Sequence, residues 1–285
     1  DRDGIITVVR PGDGSQATPF LGKAIEESAS AVSFLRTLDI KNDIFLLDHA
    51  REGVPLFLGS TGVETMAEVS AQLAKGKTLA GLRDFTIPYG IKLLQGKPKD
   101  LIVKAHKVSD NESEASIISQ FVKDGKPMGE PTLHYKGTYR FEDAAPAPVK
   151  IELPKLPQVE WDGNLKELLY HPKRLFMFGN FDTIDNIEGC DGKTVVMKLH
   201  NKWKGPFFRN IASPAFLTDP VVMDGVFQAC GFIEFMVGNE SILPYRISSA
   251  TFYRHVETHG EYYCVATQVG RNDEEKTRIF DVDLC

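Results

Sequence analysis

Cysteine is scarce: there are four in 285 residues (Cys190, Cys230, Cys264 and Cys285), and no two form a CxxC pair. Thiols so far apart supply neither a zinc-ligand set nor a redox motif, so reduced cysteines are expected, two or three of them filling core. A basic stripe is also missing. The net charge of −6, from 39 acids against 33 bases spread along the chain, argues against a nucleic-acid partner. No apolar run stands out as long enough to span a bilayer, and "DRDGIITVVRPGDGS" at the N-terminus has no signal-peptide plan. A soluble, cytoplasmic protein is the expectation, with no membrane partner. The glycines of "PGDGSQ" lack the spacing and the lysine of a phosphate-binding loop. No serine or cysteine nucleophile has an evident base beside it, which counts against acyl transfer by a covalent route. His255 and His259 have the spacing of a helical metal pair, but "FYRHVETHGEYY" reads as strand, turn and strand, which argues against zinc. Neither a metal nor a cofactor is expected.

What is present is ordinary globular material, 42% hydrophobic and 25% charged, enough to build a core. A Pro/Ala-rich stretch, "EDAAPAPVKIELPKLPQ" (Glu142 to Gln158), with Pro146, Pro148, Pro154 and Pro157, lacks periodicity and backbone donors and reads as an extended linker. It sets an organisation of N-terminal extension (1–17), first unit (18–142), linker (143–159) and second unit (160–285). Cys285 follows directly on the strand-like "RIFDVDL", which suggests a segment of a longer polypeptide.

The two units repeat one order of elements. In the first, Thr61 and Glu64 have capping-box spacing ahead of Met66, Ala67, Ser70, Leu73 and Ala74, with Gly76 as the stop. Strand-like segments follow, "LAGLRDFTIPY", "DLIVKAHKV", "EASIISQFVKDG" and "LHYKGTYRF". In the second, "KTVVMKLH" precedes a helix capped by Asp219, opened by Pro220 and ended at Gly238. Its apolar residues cover so much of the circumference that it should be largely buried. "YRISSATFYRHVE", "GEYYCVATQVG" and "KTRIFDVDL" come after it. Strands that follow strands favour an α+β fold: two antiparallel sheets joined side by side, each wrapped around one helix.

Two residues at matching places carry the chemistry. His49 lies just before the first helix, and its unperturbed pKa suits a base near neutrality. Asp224 lies in the first turns of the second helix among Val222, Met223 and Phe227. Desolvation there should raise its pKa and keep it protonated. Gln228, one turn on, shares its face and can hold it. A base facing an acid across an apolar slot, beside helix-start amides that grip a carbonyl, suits removal of water from a β-hydroxyacyl group. Taken singly, each residue has a plainer reading: a hydrogen-bonded core histidine, and a helix-dipole or capping aspartate.

"HAREG" (His49 to Gly53), with Leu58 and Gly59 beyond it, resembles the HxxxGxxxxP signature of dehydratase domains in polyketide and polyunsaturated-fatty-acid synthases. "DPVVMDGVFQACGF" resembles their DxxxQ signature, with Asp224 and Gln228 in the matching slots. "TPFLG", Glu64, "LLYHPKRLFMFGNFDTID" and "LPYRISSATFY" extend the likeness in order over nearly the whole chain. The resemblance implies a double hotdog fold with His49 and Asp224 facing each other between the two hotdogs. It implies a dehydratase that takes 3-hydroxyacyl chains from an acyl carrier protein, with His49 as base, Asp224 as acid, and Gln228, Gly53 and Leu58 positioning the substrate. It further implies neighbouring synthase domains and a homodimer formed through the parent synthase. Arg51, Lys173 and Arg174 are candidates to meet the acidic carrier protein. A product-template-type cyclase, an enoyl isomerase and a silent carrier-docking module remain alternatives. Two departures stand out: Leu58 replaces the proline of the first signature, and "MFGNF" (Met177 to Phe181) replaces a YGPxF or HGPxF motif.

Overall fold

The computed structural model describes residues 18–123, 126–159, 164, 167, 169, 170, 177–238, 241–257 and 259–285. The N-terminal extension, Lys173 and Arg174 lie outside them. The first half runs β1 (Lys23–Glu27), β2 (Ala31–Leu38), β3 (Ala50–Arg51), β4 (Val54–Phe57), α1 (Gly59–Ala71), β5 (Thr78–Thr86), β6 (Ile91–Lys92), β7 (Lys99–Lys107), β8 (Glu112–Ser119), β9 (Val122–Lys123), β10 (Lys126–Pro127) and β11 (Thr132–Glu142). The second half runs β12 (Ile184–Cys190), β13 (Thr194–His200), α2 (Pro220–Gly238), β14 (Arg246–Thr251), β15 (Glu261–Asn272) and β16 (Thr277–Leu284).

The strands of the first half alternate as a sheet with one covered face must. In β7, Leu101, Val103 and Ala105 are buried while Lys104 and His106 are exposed; in β8, Ser113, Ala115 and Ile117 face the same way. Those inward residues pack on α1. The Tyr135 and Tyr139 hydroxyls donate to the Phe57 and Val63 carbonyls at 2.8 and 2.9 Å, tying the sheet to the chain around the start of α1. An antiparallel seven-stranded sheet, in the order β1-β2-β7-β8-β11-β5-β14, covers α1, and a four-stranded one, β12-β13-β15-β16, covers α2. This is the α+β plan of two helix-centred sheets. The boundary at residue 160 separates the helices but not the hydrogen bonding, because β14 pairs with β5, Ile247 opposite Phe85 and Ala250 opposite Leu82. The linker is extended and lies against β12, where Cys190 N–H donates to the Pro157 carbonyl at 3.0 Å.

A cluster of rings closes the seam between the halves. Phe20 and Phe45, backed by Phe57, meet Phe207, Phe208 and Phe216, with Phe45 and Phe207 stacked at 5.2 Å. Aromatic packing of this kind adds to the area buried and fixes the angle between the halves.

Three expectations need correcting. Thr61 and Glu64 do not form a capping box. The N-cap is Leu58, without a side-chain cap; Thr61 Oγ1 donates to the Leu58 carbonyl, and Glu64 reaches out of the helix to the second half. The helix also ends at Ala71, with a run of turns carrying the chain to Gly76. Every residue of α1 from Gly59 to Ser70 is buried, so it is a core helix with no solvent face. The third concerns apolar length. By length and composition, Pro220–Val237 of α2 would be long and apolar enough to cross a membrane. Here it is instead the core of the second half, packed on β13 and β15, with Glu234 paired to Arg278 at 3.0 Å. The Asp219 cap is present as expected, its Oδ1 accepting the Val221 and Val222 N–H groups at 3.0 and 3.1 Å. β14 ends at Thr251, so His255 and His259 follow it in irregular chain. All four cysteines are free thiols, with Cys190 and Cys264 buried.

Candidate active site

His49 closes a 3-10 turn, Ile44–Asp48, and opens the β3–β4 hairpin. It is 6% exposed. Its backbone carbonyl accepts from Leu56 N–H at 3.0 Å, and its ring Nδ1 lies 3.2 Å from the Leu56 carbonyl. A carbonyl can only accept, so Nδ1 carries the hydrogen, and in the neutral ring Nε2 carries the basic lone pair. Burial pushes the His49 pKa down to about 4, so the ring is neutral throughout the physiological range.

The backbone of His49 also bridges Met177, and Phe178 N–H donates to the Asp48 carbonyl at 2.8 Å. The Asp48 side chain accepts Asn180 N–H at 3.1 Å. Between them Gly179 takes a φ of +55°, and a Cβ there would fall 2.2 Å from Asp48 Oδ1. Proline cannot adopt that φ, and no larger side chain fits against the carboxylate. The "MFGNF" departure is thus a locally consistent turn that pins the His49 loop to the second half.

Asp224 sits in the second turn of α2, 1% exposed. Burial lifts its pKa to about 7, against the lowering effect of its hydrogen bonds. Gln228 Nε2 donates to Oδ2 at 2.8 Å, and Ser60 Oγ lies 3.3 Å from Oδ1. The holder is held in turn: Gln228 Nε2 also donates to the Phe181 carbonyl at 2.9 Å, and the Tyr170 hydroxyl donates to Gln228 Oε1 at 2.9 Å. His49 and Asp224 are therefore tethered four residues apart on one stretch of chain, at Leu56 and Ser60, on either side of the α1 N-cap. Around that mouth Ile87, Phe227 and Pro244 pack against Gly59, where a Cβ would fall 2.9 Å from Ile87 Cδ1.

Leu58 is the α1 N-cap, buried in the core, at φ −69° and ψ 154°. That is the φ a proline ring enforces, so Leu58 holds a backbone that the signature's proline could also adopt. Gly53 lies at an exposed hairpin turn with φ +78°, following Glu52 at φ +52°, and nothing comes within 4 Å of a Cβ there. Two successive positive φ values make a type I′ turn, so this glycine serves the turn, and the helix-start amides belong to Gly59, Ser60 and Thr61. Arg51 is exposed in β3.

Three contributors to the site have a role that the sequence does not reveal. Ser60 has no recognisable spacing, and Tyr170 lies in a matching segment that says nothing of its partner. Glu64 is fully buried, with a pKa raised to about 7 by burial, and it accepts Leu217 N–H, Thr218 N–H and the Thr218 hydroxyl at 2.7, 2.6 and 2.6 Å. It thereby fixes the segment that feeds α2. Glu68, one turn on, accepts Phe20 N–H at 2.9 Å and holds the "TPFLG" segment.

No sequence-family profile matches this chain, and no curated protein matches it. Solved structures do. The dehydratase domain from the CurF module of curacin polyketide synthase superposes with a TM-score of 0.73 at 17% identity, over 95% of this chain and 100% of that one. The CurK module's dehydratase domain gives 0.69 at 16%, over 94% and 98%; one His-to-Phe and one Asp-to-Asn change each give an inactive mutant of that dehydratase. A trans-AT polyketide synthase dehydratase domain from Brevibacillus brevis gives 0.68 at 17%, over 94% and 93%. Over its described residues, this chain has the double hotdog fold seen in polyketide synthase dehydratase domains.

Proposed function

We propose that the protein is a 3-hydroxyacyl-thioester dehydratase acting on a chain carried by an acyl carrier protein, as one domain of a polyketide or polyunsaturated-fatty-acid synthase. The observation that carries this reading is the buried Asp224 carboxyl with its pKa at about 7, bonded to Ser60 in the first turn of α1, four residues from the carbonyl that orients His49. His49 Nε2 removes the α-proton. The N–H groups at the start of α1 stabilise the enolate-like charge on the thioester oxygen. Asp224 gives its proton to the departing β-hydroxyl, which leaves as water with the C–O bonding pair. The product is a 2-enoyl thioester, with His49 protonated and Asp224 ionised until solvent exchange resets both. No cofactor enters these steps. Gln228 keeps the acid in place, and Leu58 with Phe227 lines the acyl slot. Arg51 is a candidate contact for the acidic carrier protein, and neighbouring synthase domains and a homodimer fit the same setting.

The test uses purified protein with 3-hydroxyacyl pantetheine thioesters of several chain lengths, following conjugated-enoyl absorbance and mass loss of water. Wild type should convert at least one of them, and His49→Ala and Asp224→Ala should each lose the activity while keeping the wild-type circular dichroism. Full activity in both variants would overturn the dyad. Carrier-protein binding without turnover on any chain length would leave only a docking module.

A further inference from the structure

Gln228 is constrained from both ends by partners that leave its amide no choice. On one side the Phe181 carbonyl, an acceptor only, lies 2.9 Å from Nε2. On the other is the Tyr170 hydroxyl, whose oxygen accepts the N–H groups of both Thr183 and Ile184 at 3.1 and 3.0 Å. With its lone pairs so used, that hydroxyl can direct its one hydrogen only to Gln228 Oε1, at 2.9 Å. The amide N–H2 is therefore obliged to face Asp224 Oδ2, at 2.8 Å. A neutral carboxyl that accepts at Oδ2 carries its hydrogen on Oδ1, the oxygen 3.3 Å from Ser60 Oγ.

We propose that Tyr170 is a positioning residue that locks the Gln228 amide and thereby confines the proton of Asp224 to Oδ1, the oxygen turned toward the start of α1. Among the described hydrogen bonds the Tyr170 hydroxyl meets Gln228 and the Thr183 and Ile184 N–H groups, so its hydrogen-bonded route to the acid runs through Gln228. Its anchors lie at the approach to β12, so the second sheet sets the direction in which the acid points. Burial keeps Tyr170 protonated, with its pKa pushed far above the ordinary phenol value, so the lock does not titrate with the site. This inference rests on reading Asp224 as the acid.

The experiment follows the Asp224 carboxyl in the whole 285-residue chain by carbon-13 NMR titration, the resonance assigned by its loss in Asp224→Asn. Tyr170→Phe keeps the ring but frees the amide, weakening the larger of the two donors, Gln228 and Ser60, that favour the ionised carboxyl. The Asp224 midpoint should rise from about 7 by up to about one unit. Loosening of the fold would instead admit water and lower it. In a Gln228→Leu background, or Gln228→Met if that variant does not fold, Tyr170→Phe should add no further shift. A downward or absent shift, or an equal shift in the background lacking Gln228, would overturn the lock. Where turnover is measurable, kcat should fall about tenfold with KM unchanged. The titration needs no substrate, so an inactive wild type would defeat the dehydratase reading and leave this one still decided by the midpoint.

Discussion

The two central helices begin at the same seam, and their N-termini are finished in opposite ways. At α2, Asp219 places its carboxylate on the Val221 and Val222 N–H groups and is itself held by Asn201 Nδ2 at 2.8 Å. At α1 the N-cap is Leu58, which offers no side chain to the first turn. A helix start concentrates partial positive charge on N–H groups with no acceptor inside the helix. In α2 the protein answers that charge with a carboxylate of its own; at α1 the N-cap side chain gives no such answer. One mouth is capped by a side chain and the other is not, and on the proposed reading the acid, Asp224, stands on the capped helix.

The largest expected effect falls where the two mouths meet. Asp224→Asn keeps the shape and the Gln228 side of the network but has no proton to give, so dehydration should fall by about 10²–10⁴-fold. Its stability should move the other way. The folded pKa of Asp224, about 7, stands above the ordinary value of 3.8, so the neutral carboxyl stabilises the fold fully below 3.8, and that contribution is lost as pH rises through 7. The advantage of Asp224→Asn over wild type should grow by about 3 kcal/mol between pH 5 and pH 8, checked by urea melts at both. Wild-type kcat/KM should be flat between a rise near 4, where His49 loses its proton, and a fall near 7, where Asp224 does. A profile rising through pH 8 would remove Asp224 from the acid role.

How much of this was legible depended on distance along the chain. The α2 start could be read because Asp219, Pro220, Asp224 and Gln228 act within one turn or two of each other. The α1 start could not: Thr61 and Glu64 have capping-box spacing, but the partners of Glu64 lie 153 and 154 residues away, at Leu217 and Thr218. The same limit hid the transfer of β14, whose strand pattern is local but whose partner, β5, belongs to the other half. β1, "KAIEE", is exposed along its whole length and has no apolar alternation to reveal it. Within the site, His49 and Asp224 were visible as residue types in telling places. The Nδ1–H tautomer of His49, the Ser60 contact and the Tyr170 lock were not, because hydrogen-bond partners across a fold leave no spacing in a sequence.

A second, smaller effect separates the two mouths. Asp219→Ala removes the α2 cap and puts a methyl side chain at a φ of +52°, which only a few residue types tolerate well. The loss should be about 2–3 kcal/mol in urea melts. At a temperature where the variant is folded, its kcat/KM should stay within about threefold of wild type. If it falls as far as in the dyad variants, the α2 mouth also serves the substrate, and the contrast between the helices fails.

The smallest effect probes α1 itself, through two substitutions at one position. Leu58→Pro and Leu58→Ser both shorten a buried side chain, so they share a packing loss of about 2 kcal/mol. They differ at the mouth. Proline matches the φ of −69° and adds no acceptor, whereas serine can turn its Oγ onto the first-turn N–H groups as a conventional cap. If those amides grip the thioester carbonyl, Leu58→Ser should raise KM and lower kcat several-fold relative to Leu58→Pro. It should also be the more stable of the two by about 1 kcal/mol, because it gains the cap. Stability gained together with turnover lost is the signature of an N-terminus kept open for substrate. Equal kinetics in the two variants would mean that the carbonyl is held elsewhere, and that the bare start of α1 is only a consequence of burying the helix whole.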